Sequence, residues 1–313
     1  MGDIPDHNPT VEAIYRWYED QSENPRAHLG ASLIGRECPR ELWYSFRWVT
    51  KVLFKGRVLR LFETGQLAEE RFIKNLRDIG VTVYNENKQG HQYRFKDHGG
   101  HFAGSVDGVV IGIFESPKTA HLAEYKTHGE KSFNHLKAHG VQKAKPEHVA
   151  QMQVYMHYMK LTRAMYMAVN KNTDELYVER IKYEKKAALL LIRKAKDIID
   201  ADVPPTGISK DPSFYKCKFC DHADACHQGQ LAEVNCRTCL HSTPIEGGWH
   251  CNWHKAKLSY EKQIVGCEDH LFIPALVPLE VHDAGDDWVA YTTPDGNKLT
   301  NRNNSKTLGE MLP

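Results

Sequence analysis

The chain has 313 residues, enough for one large buried core or for one core with a small appendage, and the second arrangement is expected. Lys plus Arg (41) nearly cancel Asp plus Glu (40), so no global basic field announces a nucleic-acid partner, although local patches stay open. The N-terminal run Met1-Gly2-Asp3-Ile4-Pro5-Asp6 has no basic segment followed by an apolar one, and no apolar stretch approaches membrane-spanning length; a soluble cytoplasmic protein with no membrane partner is expected. Without a secretion signal, eight Cys in close-spaced sets argue for metal rather than for a disulfide framework.

Pro9 and Thr10, followed by Val11, Ile14, Tyr15 and Tyr18, predict a short amphipathic packing helix with Pro in its first turn. Cys38 stands just before Pro39, which opens a helix carrying Leu42, Trp43 and Phe46; taken alone, this Cys reads as a small buried hydrophobe. Lys55 to Asp78 keeps helical periodicity through Val58, Leu61, Phe62, Leu67, Phe72, Ile73 and Leu76 and stops before Gly80. From Val81 the period switches to two. Val81–Tyr84, Gln92–Phe95, Phe102–Val106, Val109–Phe114 and Leu122–Lys126 read as successive strands. Helices follow over Lys131–His139 and Pro146–Met159, then strands over Arg163–Asn170 and Glu175–Tyr183, then a helix over Lys185–Ile199 stopped by Pro204-Pro205. Together these predict one α/β (α+β) domain over residues 1–231.

Chemistry concentrates in Gly104-Ser105-Val106-Asp107-Gly108 and His121-Leu122-Ala123-Glu124-Tyr125-Lys126. Strand alternation puts Glu124 and Lys126 on one face and Tyr125 on the other. Asp107, at an Asp-Gly turn one hairpin earlier, can be brought beside Glu124 by neighbouring strands. Two carboxylates in a partly dry cleft repel unless a divalent cation lies between them, and a Lys two residues on can polarise or deprotonate a water. The bland alternative is a hairpin turn plus a cross-face ion pair on an exposed strand. On the following helix Gln151 and Tyr155, four apart, share a face.

A helix with Glu, a strand ending in Asp, a strand with Glu-x-Lys and a helix with Gln-x-x-x-Tyr, in that order, resembles the PD-(D/E)XK nuclease superfamily and, within it, the RecB-like exonuclease branch, including its bacteriophage and CRISPR-associated members. The likeness runs through Asp107, Glu124-Tyr125-Lys126 and Gln151-Met152-Gln153-Val154-Tyr155, over about two thirds of the chain. It implies a restriction-endonuclease-like core with a mixed central sheet flanked by helices, and a metal-dependent DNA nuclease, an exonuclease before an endonuclease, acting on single- or double-stranded ends. Asp107, Glu124 and the Tyr125 carbonyl would bind Mg²⁺ or Mn²⁺, Lys126 would orient or activate water, Gln151 would support the site or touch DNA, and Tyr155 would pack beside it. Many relatives carry a metal-binding His four residues after a Gly; here Gly65 is followed by Glu69, a candidate third oxygen ligand, whereas Glu70 reads as a solvated surface residue. Recombination, replication or CRISPR-adaptation proteins are the partners the likeness suggests. Two other readings remain: a catalytically silent scaffold for DNA ends, and an iron-sulfur, redox-regulated DNA-binding protein.

Cys217-x-x-Cys220 with Cys226 supplies three thiolates, one short of a four-sulfur shell, and Cys38 is the one cysteine outside the C-terminal third. The resemblance places the missing ligand at Cys38, as in the iron-sulfur staple of AddB-type and CRISPR-associated members; four thiolates suit a 4Fe-4S cluster or zinc, and only the resemblance favours iron. By analogy with a cross-link, closing so long a loop would stabilise the fold by up to roughly 5 kcal/mol. Cys236-x-x-Cys239, Cys251 and Cys267 then form a complete set, read as a structural Zn²⁺ site in which His254 or His270 could replace one thiolate. Most of the 18 His are expected to be surface residues and strand partners. Residues 232–313 are thus expected to form a small C-terminal metal-binding appendage ending in a hairpin around Trp288–Asn297. In it Lys255, Lys257, Trp249 and Trp253 could grip DNA or a partner, although core packing is the favoured account of the two Trp.

Overall fold

The structure, a computed structural model, describes residues 8–21, 24–302, 305 and 308. In chain order it has α1 (Pro9–Asp20), β1 (Leu29–Gly30), α2 (Pro39–Arg47), α3 (Gly56–Asp78), β2 (Thr82–Tyr84), β3 (Arg94–Asp97), β4 (Phe102–Ser105), β5 (Gly108–Ile111) and β6 (His121–His128). Next come α4 (Glu130–Ala144), α5 (Pro146–Met159), β7 (Arg163–Asn170), β8 (Leu176–Lys182) and α6 (Lys185–Asp200). The remainder is α7 (Tyr215–Lys218), α8 (Ala223–His227), β9 (Ser242–Ile245), β10 (Gly248–Cys251), β11 (Ala256–Leu258), α9 (Tyr260–Val265), β12 (Glu280–Ala284), β13 (Trp288–Thr292) and β14 (Lys298–Arg302). The fold class is mixed α/β, as the sequence indicates. Two compact units divide the chain: residues 1–25, 52–95 and 105–188 in one, and 26–51, 96–104 and 189–313 in the other. These cuts fall elsewhere than the 231/232 boundary expected from the cysteine spacing.

In the first unit α1 starts where Asn8 accepts the Val11 N–H at 3.3 Å and Pro9 occupies the first turn, where its missing N–H costs nothing. The central sheet has the order β2-β5-β6-β7-β8, with β6 and β7 parallel and the other pairs antiparallel. A parallel pair needs a long crossover, and α4 and α5 supply it. Gly140, at φ 71°, breaks α4 one residue after the helix end expected at His139, and the next N–H, of Val141, goes to Glu179 Oε2 at 2.8 Å. One sheet face carries Val83, Val110, Ala123, Tyr125, Met165 and Met167 and packs on Phe72, Ile73 and Leu76 of α3. Each of these fully buried apolar side chains contributes about 1.5–3 kcal/mol, which fixes α3 over the sheet. Alternation sends Glu124, Lys126 and His128 of β6 and Tyr166 of β7 to the other face, where Gln151 of α5 meets Glu124.

In the second unit β1 pairs in parallel with β4, and β9, β10 and β11 form an antiparallel sheet. The hairpin expected around Trp288–Asn297 is larger than the spacing suggested: β13 is the middle strand of a three-stranded antiparallel sheet with β12 and β14, and a register shift lies between Val281 and Asp283. Trp249 is a core residue at 1% exposure, with the guanidinium carbons of Arg47 and Arg237 at 4.9 and 4.8 Å from its ring, so it offers no platform for a base. Trp253 departs from the core expectation; it is 42% exposed and stacks on His241 at 5.2 Å. Among the described residues no helix is long and apolar enough to cross a membrane.

Candidate metal and catalytic sites

Antiparallel pairing of β5 with β6 sets Gly108 across from Ala123, and continuing that register by one residue puts Asp107 across from Glu124. Gly108 is needed for close approach rather than for a turn. A Cβ there would lie 3.1 Å from the Tyr84 carbonyl oxygen, and its φ is not positive. Asp107 Oδ2 accepts the Tyr125 N–H at 2.9 Å, which ties the carboxylate to β6. Glu124 is fully buried; its carboxylate accepts from the Lys126 ammonium and, at 3.2 Å, from Gln151 Nε2. The same ammonium reaches the Tyr125 carbonyl oxygen at 3.2 Å. The exposed-strand alternative therefore fails, because the acid of the pair has no access to solvent.

Burial, with the nearby Asp107 charge, pushes the Glu124 carboxyl up to about 7 against the pull of Lys126. Glu69, half-buried on α3, is likewise pushed up to about 7 by burial and by Asp107, with Lys126 opposing. Asp107 is raised by burial, opposed by Lys126 and the Tyr125 N–H. Burial would lower Lys126, but Glu124 and Asp107 outweigh it and the amine is held above its ordinary value. Glu69, Asp107 and Glu124 thus all feel the Lys126 charge and burial disfavours the ionised form of each, while only Glu124 touches the ammonium and the three carboxyl groups do not lie with their oxygens all within 4.8 Å. Glu70 is exposed, as expected. Tyr155 is buried and meets Phe95 edge-on at 6.0 Å, so it belongs to the packing under the site.

Sequence reasoning missed the groups along the same sheet face. Tyr166 lies opposite Glu124 in the β6–β7 register, and its hydroxyl sits between His128 Nε2 at 2.8 Å and His148 Nδ1 at 2.9 Å. Ser132 Oγ lies 3.3 Å from His128 Nδ1 and accepts from Lys145 at 2.6 Å. Burial, followed by nearby Lys charges, lowers His128 to about 4 and His148 to about 3, so both stay neutral at pH 7. Tyr166 is raised by burial and then by Glu124. Their signal was spacing: His128 is two strand positions past Lys126, and His148 lies one helical turn before Gln151. His128 and His148 thus stand apart from the surface and strand-partner roles expected for most of the histidines.

All eight cysteines are free thiols and lie in the second unit. Cys38, Cys217, Cys220 and Cys226 lie near enough to feel one another, though not with three sulfurs all within 4.8 Å: Cys217 is raised by burial and then by Cys226 and Cys38, and Cys220 is pushed to about 11 by burial, with Glu41 and Cys38 adding to it. The His222 N–H donates to Cys220 Sγ at 3.4 Å, and Arg40 Nη1 lies 3.5 Å from Cys226 Sγ. Cys236, Cys239, Cys251 and Cys267 line one cavity; burial and the other three thiols push Cys236 up to about 12. His254 and His270 line the same cavity. His270 Nε2 is engaged by Thr238 and the Asn235 carbonyl, whereas His254 Nε2 lies 3.8 Å from Cys267 Sγ and 3.2 Å from Asp269. Among the described residues, His254, Cys267 and Asp269 are the group of three ligand atoms all within 4.8 Å of one another.

No protein-family model matches the sequence, and no curated protein matches it. Similar solved structures include SSO0001, at 14% identity over 70% of this chain and 96% of that one, with a TM-score of 0.41. The alkaline exonuclease LHK-Exo from Laribacter hongkongensis aligns at 15% identity over 58% of this chain and 90% of that one, with a TM-score of 0.39. LHK-Exo in complex with dAMP aligns at 16% over 60% and 90%, again with a TM-score of 0.39.

Proposed function

We propose that this chain is a divalent-metal-dependent nuclease of the PD-(D/E)XK superfamily and its RecB-like branch, hydrolysing phosphodiester bonds at DNA ends as an exonuclease. The observation that carries the reading is the fully buried Glu124 carboxylate, fixed between Lys126 and Gln151 with Asp107 across from it in the β5–β6 register. The donor set fits a hard cation: Asp107, Glu124 and the Tyr125 carbonyl would hold Mg²⁺ or Mn²⁺, with Glu69 as a further oxygen ligand. When bound, the cation supplies charge stabilisation for the phosphate and acidifies a water. Because its carboxylate neighbours hold Lys126 protonated, this amine acts as a donor that orients water or a phosphate oxygen rather than as a base. Gln151 keeps Glu124 in place, and Tyr155, one turn further along the same helix, packs against Phe95. Cys38, Cys217, Cys220 and Cys226, all thiols, would hold a 4Fe-4S cluster or a zinc ion, either of which suits four sulfurs.

The test is digestion of end-labelled single- and double-stranded DNA with Mg²⁺, Mn²⁺ or a chelator, by wild type and by Lys126→Ala. Cation-dependent loss of label from the ends, abolished in the variant, is expected. DNA binding with no product under any cation would replace this reading with the silent scaffold; full activity in Lys126→Ala would remove the assigned site.

A further inference from the structure

The second cysteine set stands outside the proposed phosphodiester chemistry and has a built environment of its own. Four thiols on separate pieces of chain face one cavity: Cys236 and Cys239 from a tight Cys-x-x-Cys turn, Cys251 from the end of β10, and Cys267 from the loop after α9. The His254 N–H donates to Cys251 Sγ at 3.4 Å, the Leu271 and His241 amides face Cys239 and the Asp269 amide faces Cys267, whereas Cys236 Sγ donates to the Lys262 carbonyl at 3.4 Å. Four thiols facing one cavity supply the sulfur set that a thiophilic cation takes up as thiolates, releasing their protons. Several thiolates in one partly dry cavity repel unless a cation binds them. Between Cys236 and Cys239 the chain presents Arg237, whose guanidinium lies 3.6 Å from the Trp48 ring centroid and 4.8 Å from that of Trp249. It donates to Gln263 Oε1 on α9 at 2.9 Å and to the Phe46 and Ala27 carbonyls, each at 2.9 Å.

We propose that Cys236, Cys239, Cys251 and Cys267 bind one Zn²⁺ as four thiolates, and that the ion holds the turn that seats Arg237 between Trp48 and Trp249. Zinc suits this set because it accepts four sulfurs tetrahedrally and leaves no open position for chemistry. Among the described residues His254, Cys267 and Asp269 have their ligand atoms within 4.8 Å of one another and the four sulfurs do not, so a shell of four thiolates requires the sulfurs to draw in around the ion, and His254→Ala decides between the two sets.

Metal content of the full-length chain, measured by mass spectrometry with folding checked by circular dichroism, tests the assignment. One zinc per chain should survive in Cys217→Ser/Cys220→Ser and when His254→Ala is added to it, and should fall at least tenfold when Cys236→Ser/Cys239→Ser is added to that same background. Replacement by Co²⁺ in the wild type should give the intense visible bands of tetrahedral cobalt thiolate, a readout that needs no variant to fold. Chelation of the wild type should shift tryptophan emission, and added Zn²⁺ should restore it. Absence of zinc from folded wild type, or zinc kept on that background with Cys236→Ser/Cys239→Ser but lost with His254→Ala, would overturn the four-thiolate site. An emission spectrum unchanged while zinc leaves would overturn the link to Arg237. None of these readouts depends on nuclease activity.

Discussion

The carboxylate cluster of the first unit and the thiol clusters of the second gather polar groups by different means. Asp107, Glu124, Lys126 and Gln151 are brought together by sheet register and by the crossover helix, so each position depends on long-range pairing. The thiols are placed by short local devices, a Cys-x-x-Cys turn and amides two or three residues beyond the sulfur, and only the arrival of Cys38, Cys251 or Cys267 is non-local. A register-built site tolerates isosteric change without unfolding and loses chemistry first. A site built from local turns loses its metal and its packing together. Neutral isosteres should therefore separate the two regions most strongly. Asp107→Asn or Glu124→Gln should cut cleavage by at least about 100-fold, the scale of removing one preorganised charge-stabilising group, with little change in melting temperature. Cleavage rates and melting curves on the same preparations check this, and a variant that loses its fold in parallel with its activity would erase the contrast.

The next largest effect belongs to the second unit's buried guanidinium. Arg237 is lowered to about 9 by burial and yet makes a full set of hydrogen bonds to Gln263 and two main-chain carbonyls. Arg237→Leu leaves those acceptors unpaired in a dry site and should cost about 3 kcal/mol of unfolding free energy, read from urea denaturation. The same loss with Arg237→Lys would show that the fork geometry matters, since a lysine cannot reach all three partners at once.

The strands and helices around the first site were legible because strand alternation and helical spacing report burial directly, and Glu124-Tyr125-Lys126 shows the strand period of two within three residues. β9, β10 and β11 were not read. They are three or four residues long and contain Pro244 and Gly248, so their local signal is that of turns. Arg237 was invisible because an Arg between two Cys reads as an exposed charge; only the convergence of Trp48, Trp249 and Phe46 from distant segments makes a slot for it. His128 and His148 carried a faint trace, being spaced to share a face with Lys126 and with Gln151, but their link through Tyr166 depends on β6–β7 pairing and leaves no mark in the local pattern.

Tyr166→Phe tests that chain. It removes the hydroxyl shared by His128 and His148, leaves two imidazole nitrogens without their partner, and should cost about 1–2 kcal/mol. Its effect on cleavage should be a modest loss of turnover, because Gln151 still holds Glu124 from the helix side. A loss as large as that of Glu124→Gln would move Tyr166 into the reaction itself.

The smallest effect is a pH dependence. His148 sits at about 3 in the folded chain against an ordinary 6.5, chiefly from burial, with Lys126, His128 and Lys145 adding to it. Below pH 6.5 the unfolded chain takes up a proton that the folded chain refuses, so this stabilisation is complete above 6.5 and drains as pH falls toward 3. Glu124 and Glu69, raised to about 7, act with the opposite sign: the folded chain keeps their protons longer, and stability falls as pH rises from about 4.5 through 7. The two trends overlap in wild type, but the carboxyl contribution is common to wild type and His148→Gln and cancels in their difference. Gln can still bond the Tyr166 hydroxyl and does not titrate. Relative to this variant, wild type should lose about 1 kcal/mol between pH 7.5 and 5.5, measured by urea unfolding at each pH. Parallel curves would mean that His148 takes up its proton in the folded chain as readily as in the unfolded one, and that its hold on Tyr166 is looser than the 2.9 Å contact indicates.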